Sequence, residues 1–321
     1  MRSTRPKVLV TRKLPTLVEN RLRSTYEVRL NTTDQAMSKA ELSVAMSNFD
    51  ALVSTVSDPL DATVLKAGNR QVQLIANVGV GCSNIDTKTA GDEGIVVSNT
   101  PDVLTDATAD IALLLILSVT RRAYAAERML REGRWQGFSL VDGLGRSMQG
   151  KVIGIIGMGR IGRATARRAL FALGMKVVFY NRSRITELDF EATQLDTIDQ
   201  VMASADVVSV HVPGIRSSPT LTAEHIALLK PTAYLINTAR GDSIDQAALL
   251  AALVDNRIAG AGLDVYLDEP EVPNQLRILD NVTLLPHIGS ATEEVRTAMG
   301  MVAADNLDAF FSNTSLPNRV V

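Results

Sequence analysis

Only three histidines occur in the 321-residue chain, so the search for an acid–base group is short. His225 lies in LTAEHIALLK, a helical pattern remote from any strand end, and reads as a packing residue. His211 lies at the end of the apolar run DVVSVHV, ahead of Pro213, on an edge suited to ligands but in a loop expected to cover a nucleotide. His287 ends VTLLPH just before Gly289, and imidazole is the side chain whose charge changes near neutrality. Arg240 follows AYLINTA, and Glu269 sits in LDVYLDEPEVP, beyond a strand-like run that carries Asp264. Three successive strand ends can bring these groups to one cleft: a guanidinium for a carboxylate, an imidazole for proton transfer, and an acid to orient the imidazole. Singly, Arg240 could be half of a structural ion pair, Glu269 a solvated charge and His287 a packed ring. Their matching positions favour a joint site.

A second constellation is KVIGIIGMGRIGRATARRAL, with Gly157, Gly159 and Gly162 spaced G-x-G-x-x-G between an apolar strand and a helix. The first glycine permits the tight turn, the second lets backbone approach a pyrophosphate, and the third allows close helix-to-strand packing. The strand KVVFY that follows completes the dinucleotide-binding context. Where NAD-preferring folds place an acid for the ribose hydroxyl, this chain has Asn181, followed by Arg182, Ser183 and Arg184. A carboxylate repels a 2′-phosphate and guanidinium groups bind it, so the spacing favours NADP(H), with NAD(H) still admitted. The alternative is that both arginines are solvated loop charges.

The elements that must hold these groups read as α/β throughout. From residue 7 to about residue 100, KVLVT, ALVST, QVQLIANVGVG and IVVSN alternate with helical stretches. From Gly150, six β-rich runs separated by helices suggest a doubly wound sheet. Between them, DATADIALLLILSVTRRAYAAERMLREG reads as one helix, apolar nearly all round in its middle third, to be buried by a core or by a partner subunit. SATEEVRTAMGMVAADNLDAFFSN reads as a last helix, capped by Ser290 or Thr292 and returning to the first domain. The expected architecture is therefore two doubly wound parallel-sheet domains. A flavodoxin-like substrate domain (residues 1–99 and 290–321) would carry an inserted Rossmann-like dinucleotide domain (residues 100–289).

These motifs, with VLVTRKLP, ANVGVGCSNID, VSNTPDVLTDATADIALLLIL, YLINTARGDSID, AGAGLDVYLDEP and LLPHIGSAT in the same order, resemble the D-isomer-specific 2-hydroxyacid dehydrogenases, and within them the glyoxylate/hydroxypyruvate reductases. The resemblance implies that Arg240, Glu269 and His287 form the catalytic triplet. It implies that Asp264 contacts the nicotinamide carboxamide, that Thr105 lies near the ring, and that Thr238 and Ala239 line its other side. Met158, Arg160 and Ile161 would complete the phosphate loop, with Val212 and Gly289 as further cofactor neighbours. The backbone of Val78, Gly79, Val80 and Gly81 would hold the substrate carboxylate beside Arg240, with Val53 and Ser54 near the pocket. Hydride would pass to the keto carbon of a 2-oxo acid while His287 donates a proton, and an acid beside the ring would favour its protonated form. A homodimer through the 101–130 helix is implied as well.

The departures are modest. Cys82 takes a place in the substrate loop where an aromatic residue is common, Gln246 replaces a frequent acid, and Trp135, Phe138 and Leu140 leave the pocket's size open. The nearest rival is a dehydrogenase of larger 2-oxo acids such as 2-ketogluconate or phenylpyruvate. Formate dehydrogenases carry glutamine in place of Glu269, and phosphoglycerate dehydrogenases commonly add a regulatory domain that the sequence after His287 is too short to hold. A dinucleotide-sensing binding protein is the remote alternative.

Composition narrows the partners. A net charge of −2 and a pI near 6.0 give no basic footprint for nucleic acid or anionic membrane. The single Cys82 excludes an intrachain disulfide framework and Cys-rich metal sites, and suits a reducing cytosol. The longest apolar run, Ile111–Val119, falls far short of the roughly 20 residues a bilayer needs, and MRSTRPKVLVTRKLP lacks a secretory apolar core. The expectation is a cytoplasmic enzyme acting on a small molecule, without a metal.

Overall fold

The computed structural model describes residues 5–214 and 218–321, so Met1–Thr4 of the amino-terminal reading lie outside the described residues. The chain divides into two compact units, one running to Leu104 and resuming at Ser290–Val321, the other spanning Thr105–Gly289. The first crossover thus falls at Leu104 rather than at residue 99.

The first unit holds β1 (Lys7–Val10), β2 (Glu27–Leu30), β3 (Ala51–Thr55), β4 (Leu74–Val78) and β5 (Val96–Ser98), all parallel in the order β2-β1-β3-β4-β5. β4 is buried along its whole length, as its LIANV sequence demands of a strand covered on both faces. β2 was not expected. Its EVRL sequence alternates exposed and half-buried positions because it lies at the sheet edge. The helix Glu293–Phe311 returns to this unit and packs on β4. Thr292 is its cap, with Oγ1 accepting from the Val295 N–H.

The second unit holds β6 (Val152–Ile156), β7 (Lys176–Tyr180), β8 (Thr193–Gln194), β9 (Val207–Val210), β10 (Tyr234–Asn237), β11 (Gly260–Leu263) and β12 (Val282–Leu284). Their order is β12-β11-β10-β9-β6-β7-β8, with chain direction reversing its lateral progress at β6, the switch point where such sheets bind ligands. Consecutive residues serve opposite faces: Ile155 joins one apolar cluster with Phe179 and Ile236, and Ile156 the other with Leu235 and Leu263. β8 is a two-residue edge strand that composition does not announce.

The expected single helix after Pro101 is two, Thr105–Thr120 and Ala123–Arg131, separated by Arg122 in left-handed backbone (φ 55°). The cause is competition for a carbonyl. The Arg146 N–H donates to Thr120 O at 2.8 Å, taking the acceptor that a continuing helix would offer to Tyr124. The first helix buries Leu115, Ile116 and Val119 against the sheet, whereas the second buries no residue. Among the described residues no helix is long and apolar enough to cross a membrane.

Candidate active site

The carboxyl edge of the larger sheet carries the predicted triplet. After β10, Asn237 forms a bracket that the sequence did not disclose as functional. Its Oδ1 accepts from the Ala239 N–H (3.0 Å) and its Nδ2 donates to Arg240 O (2.8 Å), fixing the turn from which Arg240 projects. Gly241 lets a second loop close on that turn. A Cβ there would stand 2.0 Å from the Tyr266 carbonyl carbon and 2.4 Å from the Leu267 nitrogen, so only glycine admits the approach.

That second loop, after β11, presents Glu269. Its Oε1 accepts from the Tyr266 N–H at 3.0 Å, and its Oε2 lies 2.6 Å from His287 Nδ1. Burial pushes the Glu269 carboxyl up, but the hydrogen bond and charge of His287, the Tyr266 amide and the Arg240 charge outweigh it, so it titrates below its ordinary range and is ionised at neutrality. Tyr266, also missed, donates its hydroxyl to Leu263 O and Leu285 O and so pins the strands that flank the site. An aromatic before an acidic loop is too common a pattern to have marked it.

His287 itself sits in left-handed backbone (φ 54°), a conformation that costs a non-glycine residue about 1 kcal/mol. Asp264 holds it there. Only 1% exposed, Asp264 accepts the Ile288 N–H on Oδ1 (2.8 Å) and the Gly289 N–H on Oδ2 (2.7 Å). Burial raises its pKa, partly offset by those amides and by the His287 charge. Asp264 is therefore the clamp of the His287 turn, a role the resemblance did not suggest.

The glycine loop meets the physical requirements of a phosphate site. Gly157 has φ 95°, and a Cβ on Gly162 would lie 2.1 Å from Gly157 O, so the turn and the helix crossing both require glycine. Nothing lies within 4 Å of the position a Gly159 Cβ would take, and the helix Arg160–Leu173 starts there without a side-chain cap. Asn181 is spent on the protein: Oδ1 accepts from the Met158 N–H (3.2 Å) and Nδ2 donates to Ser183. Arg182 and Arg184 are exposed and make no ion pair among the described residues, while Arg163, Arg167 and Arg168 are each engaged by carbonyls or carboxylates.

His211 differs from His287 in every respect that matters for proton transfer. Its Nε2 lies 2.8 Å from Ser209 Oγ, no acid pairs with it among the described residues, and burial lowers its pKa to about 3. Thr238 is 7% exposed with a buried Oγ1 that has no partner among the described residues, Ala239 is half-buried, and Thr105 opens the Thr105–Thr120 helix.

In the first unit, the loop after β4 turns its carbonyls inward. Gly79 O accepts from the Thr100 N–H (3.0 Å), Val80 O from Asn99 Nδ2 (2.9 Å), and Gly81 O from Asn77 Nδ2 (3.2 Å). The Val80 and Gly81 N–H groups have no protein acceptor among the described residues, an arrangement suited to an anion. Val53 and Ser54 require correction. They are 1% and 0% exposed inside β3, and Ser54 Oγ donates to Asn77 Oδ1, so neither side chain offers itself to a ligand. Among the described residues no group of three His, Cys, Asp or Glu side chains is arranged for a metal ion.

Comparison with known proteins bears on this geometry. The profile of the D-isomer specific 2-hydroxyacid dehydrogenase NAD-binding domain matches residues 113–289. The chain is 40% identical over 322 residues to a glyoxylate reductase of Thermococcus litoralis, covering 98% of this chain and 97% of that protein. Its fold matches that of an NADPH-dependent glyoxylate/hydroxypyruvate reductase from Sinorhizobium meliloti, solved with NADP and malonate, with a TM-score of 0.88 at 36% identity over 99% of this chain and 97% of that one. A glyoxylate reductase from Paecilomyes thermophila gives 0.87 at 31% identity over 100% and 99%. The chain is an oxidoreductase that belongs to the D-isomer specific 2-hydroxyacid dehydrogenase family.

Proposed function

We propose that this dehydrogenase reduces the short 2-oxo acids glyoxylate and hydroxypyruvate to 2-hydroxy acids, with NADPH as the preferred reductant. The observation that carries the reading is the 2.6 Å contact between Glu269 Oε2 and His287 Nδ1, reached from two different strand ends. An ionised carboxylate only accepts hydrogen bonds, so it accepts one from Nδ1–H and leaves Nε2–H of a protonated ring to donate to the ketone oxygen. Arg240 binds the substrate carboxylate and stabilises the negative charge that grows on the oxygen. Within the first unit, the Val80 and Gly81 amides are assigned to a carboxylate in this reading. A bound reduced nicotinamide supplies the hydride to the keto carbon.

The cofactor assignment draws on the uncapped helix at Gly159 and on Arg182 and Arg184, whose guanidinium groups are available to a 2′-phosphate. Thr105, His211–Pro213, Thr238, Ala239 and Gly289 are assigned to the walls around the dinucleotide. A homodimer is part of the proposal. Phe138, Leu140 and Val141 are 87%, 79% and 77% exposed on a segment that buries nothing, an apolar surface that a second copy would cover. Sedimentation at micromolar concentration tests it, and a monomer rejects it.

Turnover of glyoxylate, hydroxypyruvate, 2-ketogluconate and phenylpyruvate with each reduced cofactor decides the rest. The expected result is the highest kcat/KM with the two short acids and NADPH. A clear preference for a bulky acid or for NADH overturns that part of the reading.

A further inference from the structure

The helix Glu293–Phe311 buries Met299, Gly300, Ala303, Ala304 and Leu307, and among them one polar residue, Asn306, which is 0% exposed. A primary amide in such a place is costly unless every hydrogen-bonding atom is used. All are used. Nδ2 donates to Asn99 O (3.2 Å), Val302 O (3.0 Å) and Asn318 Oδ1 (3.3 Å), and Oδ1 accepts from the Asn318 N–H (3.2 Å). Only the Val302 contact is internal to the helix; the others reach β5's exit and the tail.

Residue 99 is where these contacts gather. Its N–H donates to Asn318 O (3.1 Å), its carbonyl accepts from Asn306, and its side chain donates to Val80 O (2.9 Å). The same peptide plane whose carbonyl Asn306 holds supplies the Thr100 N–H that holds Gly79 O (3.0 Å). The tail is fixed in turn, with the Val320 N–H donating to Val97 O at 2.7 Å and Arg319 bridged to Ser98. Two consecutive carbonyls of the loop are thus turned inward by groups that Asn306 and Asn318 orient.

We infer that Asn306 and Asn318 are positioning residues for the anion-binding amides of Val80 and Gly81, acting through residue 99. With the Gly79 and Val80 carbonyls held inward, the N–H groups that follow them in the chain face the other way, and the ordering is done before any ligand arrives. The inference rests on the proposed role of these amides as ligands of the substrate carboxylate. It adds that substrate affinity depends on a helix and tail that touch no substrate.

The test uses the full chain with Asn99→Asp, which replaces the donor to Val80 O by an acceptor of the same shape, and with Asn306→Ala. KM and kcat for glyoxylate, the Kd of oxalate as a carboxylate probe, the Kd of NADPH, and amide hydrogen exchange of residues 78–82 are measured together. Loss of one orienting hydrogen bond is expected to raise KM and the oxalate Kd by about tenfold. Turnover should stay within about twofold, NADPH affinity should be unchanged, and exchange at Val80 and Gly81 should accelerate. Wild-type KM and wild-type loop exchange in the variants overturn the inference, whatever happens to the melting temperature. Should Asn306→Ala not fold, Asn318→Ala decides, because residue 318 is only half-buried and its side chain accepts from Asn306 Nδ2. Failure of the wild type to reduce glyoxylate counts against the proposed substrate, while the exchange and oxalate measurements still decide the positioning role.

Discussion

At the β10–β12 corner of the larger sheet, the side chains around His287 are held by one another and by backbone, whereas at the β6–β7 corner several polar groups have no protein partner among the described residues. Asn237 brackets Arg240, Tyr266 and His287 share Glu269, and Asp264 fastens the turn behind the histidine. By contrast, the helix at Gly159 is uncapped and Arg182 and Arg184 stand unpaired among the described residues. The proposed function accounts for the difference. Proton transfer needs groups held in advance, because a misplaced imidazole forfeits most of its effect. A site for a charged ligand needs donors left unsatisfied until the ligand satisfies them.

If that contrast holds, damage to the first corner should appear in kcat and damage to the second in cofactor affinity. The largest effect is expected from His287→Ala. Removing the proposed proton donor should lower kcat for glyoxylate reduction by about 10³-fold while the Kd of NADPH stays near wild type. Turnover close to wild type would return the proton-donor role to an unassigned group. Next comes the double variant Arg182→Ala/Arg184→Ala. Loss of two charge-assisted contacts should raise KM for NADPH by about 100-fold, with kcat and the NADH parameters nearly unchanged. Equal losses with both cofactors would mean that the arginines act on something other than the 2′-phosphate.

Glu269→Gln probes the coupling inside the first corner. A neutral amide still accepts a hydrogen bond but places no negative charge beside the imidazole, so kcat should fall about tenfold. The same variant has a signature in stability. Because the folded Glu269 titrates below its ordinary 4.5, its contribution is complete above about pH 4.5 and is lost as pH falls through the lower folded value. The melting-temperature gap between wild type and variant should therefore be constant from pH 7 to pH 5 and close below that. A gap that persists unchanged into strong acid would remove the carboxylate from the account.

Sequence pattern made some of this legible and not the rest, for reasons that lie in particular residues. The inner strands β3, β4, β6 and β9 are rich in Val, Ile, Leu and Ala and buried on both faces almost throughout, a pattern that marks covered parallel strands. The edge strands β2 and β8 were invisible because one side faces water and EVRL or TQ satisfies it as well as a loop would. The helix break at Arg122 was hidden because its cause, the Arg146 amide, lies far along the chain. Arg240, Glu269 and His287 could be picked out by residue type and strand-end position. Asn237, Asn99 and Asn306 could not, since an asparagine's function depends on which backbone groups the fold brings to it.

The smallest expected effect comes from His211, and it sharpens the contrast between the two histidines at strand ends. Burial lowers the His211 pKa to about 3, below the 6.5 of a free imidazole. The folded state then binds fewer protons than the unfolded chain between these values. Stability attributable to His211 is complete above about pH 6.5 and is lost as pH falls, at a rate of at most about 1.4 kcal/mol per pH unit. His211→Asn removes the titration and keeps a group able to bond Ser209, so the variant should lose less stability than wild type between pH 6.5 and pH 4.5, a window in which Glu269 remains ionised. Its kcat should stay within about threefold of wild type, with any change confined to cofactor KM. Denaturant unfolding at a series of pH values reads the difference directly. Parallel stability curves would show that His211 is free to protonate in the folded state, and the neutral histidine would no longer separate the cofactor corner from the catalytic one.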